Sequence, residues 1–294
     1  MKTYYHLFVV GVFFLFAGQL SAQDKENSFF EGNGEISTNL PTSVPLEDRK
    51  PIEYNNPRAD DIIWSKVVYR IIDLREKMNF PLYFPEEASD NRQSLFTSIF
   101  RLMEKDKIKC YEYQDNKEIF TEDLVVPFDA FTKKWDILLT VKKDSVTGDT
   151  IGSEIDESNI PNRDILKYYV KEVWYFDKNN SVFNVRIMAI CPIMYREDYD
   201  TGMMNKYPLF WVPFDMLRPY LAKQEALLSD KNNGARETVD DLFIKRRFGS
   251  YIFKESTTRN RNLLQYNSTA EQANREQERI KNDIFNFEQD LWEY

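Results

Sequence analysis

Two neighbouring stretches alternate so regularly that they fix the middle of the fold. In residues 181–191 the apolar side chains fall on every second position: Phe183, Val185, Ile187, Ala189 and Cys191, with Asn184 and Arg186 between them. A period of two places such a set on one face of a β-strand. Residues 165–176 read as its partner, joined through the turn-forming run Asp177-Lys178-Asn179-Asn180. That partner is apolar on both sides, with Val170, Trp174 and Phe176 on one and Tyr169, Val173 and Tyr175 on the other. A strand buried on both faces belongs inside a sheet, under helices. The expected fold class is therefore α+β: a small, mainly antiparallel sheet with packed helices, an extended N-terminal arm and a C-terminal helix.

The remaining elements are read from spacing. Asn56-Pro57 has the form of a helix cap and first helical position, and Asp60 and Asp61 follow in the first turn. Ile63, Val67, Ile71, Leu74 and Met78 then recur at helical intervals, widened by Trp64, Val68 and Ile72. This predicts a buried helix over 57–78. Further helices are expected over 92–106, from Pro213 to about Leu228, and over 238–247. Strands are expected over 108–113 and 248–254, while 124–142 fits either helix or strand and 229–237 reads as a loop. The polar run 143–163 reads as an insertion or a subdomain joint within a core domain of residues 57–262. In the C-terminal part, 263–294, a helix is expected over 269–292. Ala273, Gln277, Ile280, Ile284, Phe287 and Leu291 mark its seam. That seam could dock on its own domain or on another subunit. Trp292 and Tyr294 beyond it call for a surface to meet.

The first 22 residues read as a secretory signal. Lys2 precedes an 11-residue apolar run, Leu7 to Ala17, and Ala22 offers a small residue for cleavage. The run is too short to span a bilayer. No cysteine lies near the cut, so no lipid anchor is expected there. Residues 23–56, punctuated by Gly32, Gly34, Pro41, Pro45 and Pro51, read as an extended, flexible arm. No later stretch is apolar enough to cross a membrane, so no direct membrane span is expected.

Composition excludes more chemistry than it suggests. The formal net charge of −9 argues against a nucleic-acid partner, because phosphate affinity comes from cations. The only histidine, His6, lies in the signal, so the exported chain has none. Ser-His-Asp and Cys-His catalysis and His-ligated metals are then excluded, and no metal or cofactor is expected. Carboxylate chemistry survives, but with 48 acidic residues no pair stands out. Cys110 and Cys191 both fall on apolar strand positions, as two buried thiols or as one disulfide, which export permits.

Several stretches together resemble one family. They are Trp64-Ser65-Lys66, the run from Ile72 to Asn79 (IDLREKMN), Glu172 to Asp177 (EVWYFD), Ala189-Ile190-Cys191-Pro192, Leu209-Phe210-Trp211, Phe243 to Phe248 (FIKRRF) and Tyr251 to Glu255 (YIFKE). Taken in order, behind a signal peptide, they resemble the GldN family, called PorN in non-gliding bacteria, of the type IX secretion system of Bacteroidetes. The resemblance implies a non-enzymatic subunit in the periplasm. There it would bind a GldK/PorK-like outer-membrane lipoprotein and self-associate with it in a ring. The ring would contact the periplasmic part of a GldM/PorM-like motor protein. A periplasmic carboxylate-based glycan hydrolase and a stand-alone ligand-binding module are the alternatives.

Two sets of residues are singled out beside the resemblance. Lys245-Arg246-Arg247 is the densest basic run in an acidic chain. It is either a solvated helix end or a contact for acidic residues of a partner. Asp144-Ser145-Val146 and Asp149-Thr150-Ile151 resemble short O-glycosylation sites, with Ser145 and Thr150 as acceptors.

Overall fold

The computed structural model describes residues 48–88, 92–114, 120–138, 140–143, 150–154, 157–198, 202–226, 237–256 and 261–291. The signal 1–22, most of the arm and Ser145 lie outside these residues. The alternating pair forms as expected: β5 (Ile165–Asp177) and β6 (Val182–Glu197) pair antiparallel, with Tyr169 opposite Cys191 and Val170 opposite Ile190. Asp177 closes their turn, its Oδ1 accepting from the backbone N–H of Asn179 (3.0 Å) and Asn180 (3.3 Å).

The largest correction concerns residues 57–78. They form no long helix. After a short 3-10 turn at Ala59–Asp61 the chain runs as strand β1 (Ile62–Asp73) along β5. The reason is arithmetic. Ile63, Val67 and Ile71 are four apart, as are Trp64, Val68 and Ile72. Four is an even number, so each set that would line a helix stripe also lines one face of a strand. Six of the twelve residues are β-branched Ile or Val, which favours the strand.

The chain continues through a short α1 (Phe80–Tyr83) into α2 (Leu95–Glu104), capped by Ser94, whose Oγ accepts from Thr97 N at 3.1 Å. Then come β2 (Tyr111–Glu112), α3 (Phe128–Lys134), and the hairpin β3 (Thr140–Lys143) and β4 (Thr150–Glu154). The stretch 143–163 therefore includes the second strand of a hairpin, with Thr150 as its first residue. Beyond β6 lie β7 (Met204–Pro208), β8 (Phe210–Pro213), α4 (Phe214–Leu221) and the pair β9 (Glu225–Ala226) and β10 (Glu237–Thr238). The chain ends with α5 (Val239–Ile244), β11 (Tyr251–Glu255), α6 (Leu263–Tyr266) and α7 (Ala270–Asp290). α4 stops seven residues short of the expected Leu228. Gln224 is drawn aside instead, its side chain accepting from Ser98 Oγ at 2.6 Å and its carbonyl from Val239 N at 3.0 Å.

One sheet takes strands from both sides of 143–163, in the order β11-β1-β5-β6-β8-β2, with β7 also on β6. Every pairing in it is antiparallel. On one face, Ile72, Tyr168, Val170, Ile190 and Phe210 pack with residues of α2, α4 and α5, including Phe96, Phe100, Phe214 and Phe243. The other face carries Tyr69, Tyr169, Cys191, Ile193 and Trp211. The seam of α7 meets its own domain: Ala273, Ile280 and Ile284 are buried with Val68, Ile252 and Leu263, and Phe287 stacks on Trp64 at 4.4 Å. All described residues belong to one compact unit.

Candidate functional site

The basic run begins where α5 ends. A Thr238–Asp241 capping box starts that helix, with Thr238 Oγ1 accepting from Asp241 N and Asp241 Oδ2 from Thr238 N, both at 3.1 Å. Two residues past its end the chain reverses at Arg246, whose φ of +53° lies in the left-handed region. The guanidinium thereby meets Glu172 twice, Nη1 donating to Oε1 at 3.0 Å and Nη2 to Oε2 at 3.2 Å. Trp174 Nε1 donates to the same carboxylate at 3.2 Å, and the Trp174 ring lies 5.2 Å from the guanidinium carbon. The Glu172 side chain is fully buried and that of Arg246 only 26% exposed. Lys245 and Arg247 instead share Glu237 Oε1, at 3.1 and 2.9 Å, and keep side-chain exposures of 43% and 54%. The three cations thus separate by role: Arg246 is part of the interior, while Lys245 and Arg247 lie at the surface.

Two more arginines hold the segment before β1. Arg218 makes a two-point pair with buried Asp240, at 2.9 and 3.1 Å, and donates to the carbonyl of Ile52. Arg186 donates to Asp215 Oδ2 (2.6 Å) and Asn56 Oδ1 (3.0 Å). The ring of Tyr54 lies between the two guanidiniums, 4.1 Å from Arg218 and 4.6 Å from Arg186. Burial pushes the Tyr54 hydroxyl up to about 12, offset in part by Arg218. Residues 52–56, expected to be the end of a free arm, are fastened to the core. These contacts join residues 130 or more positions apart, so no local pattern announces them.

The run Ile72 to Asn79 closes the far end of β1. Asp73 takes Arg75 at 2.6 Å and Lys167 at 3.2 Å, and the Arg75 guanidinium holds its carboxyl well below the usual range. Asn79, fully buried, donates to the carbonyls of Asp73 (2.7 Å) and Gly249 (3.0 Å) and accepts from Gly249 N (2.8 Å). A Cβ at Gly249 would collide with the Glu76 carboxylate. This run acts as a bracket between β1 and the loop before β11.

Cys110 and Cys191 are free thiols. They lie in separate clusters, Cys110 under the helices and Cys191 on the opposite face, so the sheet stands between them and, of the two alternatives, the structure has the buried thiols and not the disulfide. Burial pushes both thiols well up, which makes them unreactive.

The aromatic face also opens a pocket of about 540 Å³ against α6 and the first turns of α7. Its sheet side carries Tyr169, Tyr195, Tyr251, Phe253, Lys167 and Lys206, and among the described residues no Asp or Glu lines it. Retaining and inverting glycosidases need two carboxylates at the reacting bond. This pocket offers neither, although its volume and lining suit a bound apolar group. The sequence hides it because its walls come from β1, β5, β6, β7, β11 and two helices.

Among the described residues, no helix is long and apolar enough to cross a membrane. No curated protein matches the chain. A family described as gliding motility associated protein GldN matches residues 57–293, from just before β1 to beyond the end of α7. The match takes in the bracket, the Glu172–Arg246 pair and the C-terminal helix alike, and the chain belongs to the GldN family of gliding-motility proteins.

Proposed function

We propose that this protein is a structural subunit of the type IX secretion and gliding machinery. It works in the periplasm, at the inner face of the outer membrane. There it joins a GldK/PorK-like lipoprotein, self-associates in a ring and meets the periplasmic part of a GldM/PorM-like motor protein. The observation that carries this reading is the family match across nearly the whole described chain. The chemistry is compatible with it: the thiols are buried, no described carboxylate lines the aromatic-face pocket, and the buried ion pairs Arg218–Asp240 and Arg246–Glu172 hold the fold. Co-expression with the lipoprotein tests it. Ring-sized particles in detergent, and loss of type IX cargo from the medium when the gene is deleted, are the expected results. Normal cargo delivery in the deletion strain would refute it.

The aromatic pocket favours one second reading, a ligand-binding module. Such a module would stay monomeric with the lipoprotein present and bind a small molecule at Tyr195 and Tyr251.

A further inference from the structure

The pocket on the aromatic face asks for an occupant of a definite kind. Its sheet side is largely apolar or aromatic, with Tyr169, Tyr195, Tyr251 and Phe253, and its helical side carries the amides Asn262, Gln265, Asn274 and Gln277 beside Leu264, which is 70% exposed. Its charge is cationic. Lys167 is partly neutralised, at 3.2 Å from Asp73 and 3.4 Å from the Tyr251 hydroxyl. Lys206 is exposed and has no ion pair with any described residue. A fitting ligand has flat aromatic groups beside a carboxylate.

The chain carries such a segment. Trp292-Glu293-Tyr294 follows α7 and places one carboxylate between two aromatic rings. Within one molecule it cannot reach the pocket. The lining residues of α7 are Ala270, Ala273, Asn274 and Gln277, all in its first turns. At a rise of about 1.5 Å per residue, the end of α7 lies roughly 20 Å beyond Gln277. Residues 291–294 span at most about 14 Å even when fully extended. A second copy has no such restriction.

We infer that Trp292-Glu293-Tyr294 of one copy docks into the Tyr195–Tyr251–Lys206 pocket of the next. The rings fill the apolar walls and Glu293 meets Lys206. Tail and pocket are different parts of the chain, so each copy carries one of each. Such a heterologous contact propagates from copy to copy, into a closed ring or an open filament. The inference rests on the assembly reading above and names the surface through which copies would join.

The test uses the full chain carrying Trp292→Ala and Tyr294→Ala, so that the tails of other copies do not compete. The probe is an amidated, fluorescein-labelled peptide of residues 288–294. Saturable binding is expected, weakened tenfold or more by Lys206→Glu and lost when both aromatic residues of the peptide are alanine. A peptide with Glu293→Lys should bind the Lys206→Glu chain better than the unchanged peptide does. Rising salt should weaken the unchanged pair. Absence of saturable binding, or binding indifferent to Lys206→Glu, would overturn the inference, as would a pocket that takes free indole-3-acetate but not the peptide. A second measurement separates this inference from its premise. If the tail variant still builds ring-sized particles with the lipoprotein as the unchanged chain does, the tail contact falls and the proposed function stands. If the unchanged chain builds none, the proposed function falls.

Discussion

The two faces of the central sheet are built from different materials. Under the helices lie Phe96, Phe100, Phe210, Phe214, Ile72 and Val170, side chains with no polar atom. The opposite face is made of Tyr69, Tyr111, Tyr169 and Trp211, with Lys171 and Lys254 over the ring of Tyr69 at 5.7 and 4.6 Å. Phe and Ile are finished once they are buried. Tyr, Trp and Lys have an apolar body and a polar tip, so they serve equally in an interior and at a boundary with water or a partner. The first face is suited to holding the chain together. The second leaves a pocket and lysines at its margin.

This contrast breaks if stability depends equally on both faces. Phe100→Ala removes a fully buried ring that touches Phe96, Phe128 and Phe131, and should cost about 3–5 kcal/mol in urea unfolding. Tyr195→Ala, at the pocket, should cost well under half as much while abolishing any peptide binding there. Equal costs would show that the aromatic face is simply a second core. Glu172→Ala belongs with the large effects. It leaves Arg246 without its anion in the interior and should cost about 3–5 kcal/mol.

The bracket sharpens the comparison at an intermediate scale. Asn79→Ala deletes three hydrogen bonds and leaves the Gly249 N–H and two carbonyls to find other partners, a loss of about 2–3 kcal/mol. Asp73 adds a pH dependence. Its carboxyl is held below the ordinary value by Arg75, so its stabilisation is complete above about pH 4 and is lost as pH falls below that. Asp73→Asn should therefore flatten the acid limb of the unfolding profile. Tyr54 acts at the other end. Its raised value means that the unfolded hydroxyl ionises first, so stability declines as pH rises from 10 towards 12. Tyr54→Phe should make that decline shallower, leaving the share of buried Tyr168, whose hydroxyl is also pushed up by burial.

The β5–β6 pair and the α7 seam were legible because each rests on a period that only one structure satisfies. The seam of α7 alternates steps of four and three, which no strand can place on one face. Residues 63–72 step by four alone, and a step of four belongs to helix and strand alike, so the cap-like Asn56-Pro57 tipped the reading the wrong way. What the sequence withheld is non-local. The Tyr54 clamp, the Asn79–Gly249 link and the pocket depend on residues brought together by the sheet order, and nothing near Arg186 or Lys206 in the chain marks them. The basic run was found by composition, but its division was not: a positive φ at one residue sends Arg246 inward and leaves its neighbours outside.

That division sets the smallest effect. Reversing all three charges would place an acid beside buried Glu172 and report on folding alone. Reversing only Lys245 and Arg247 takes two half-exposed cations from one carboxylate, Glu237, whose side chain is only 13% exposed, at a cost of about 1–2 kcal/mol in all. If the run is a contact for an acidic partner, Lys245→Glu with Arg247→Glu should reduce co-purification with the lipoprotein or the motor protein at low salt by several-fold, with the chain still folded. If recovery is also unchanged, these two cations belong to the solvated end of α5. The partner must then be sought on the aromatic face, where Lys206 has no ion pair with any described residue.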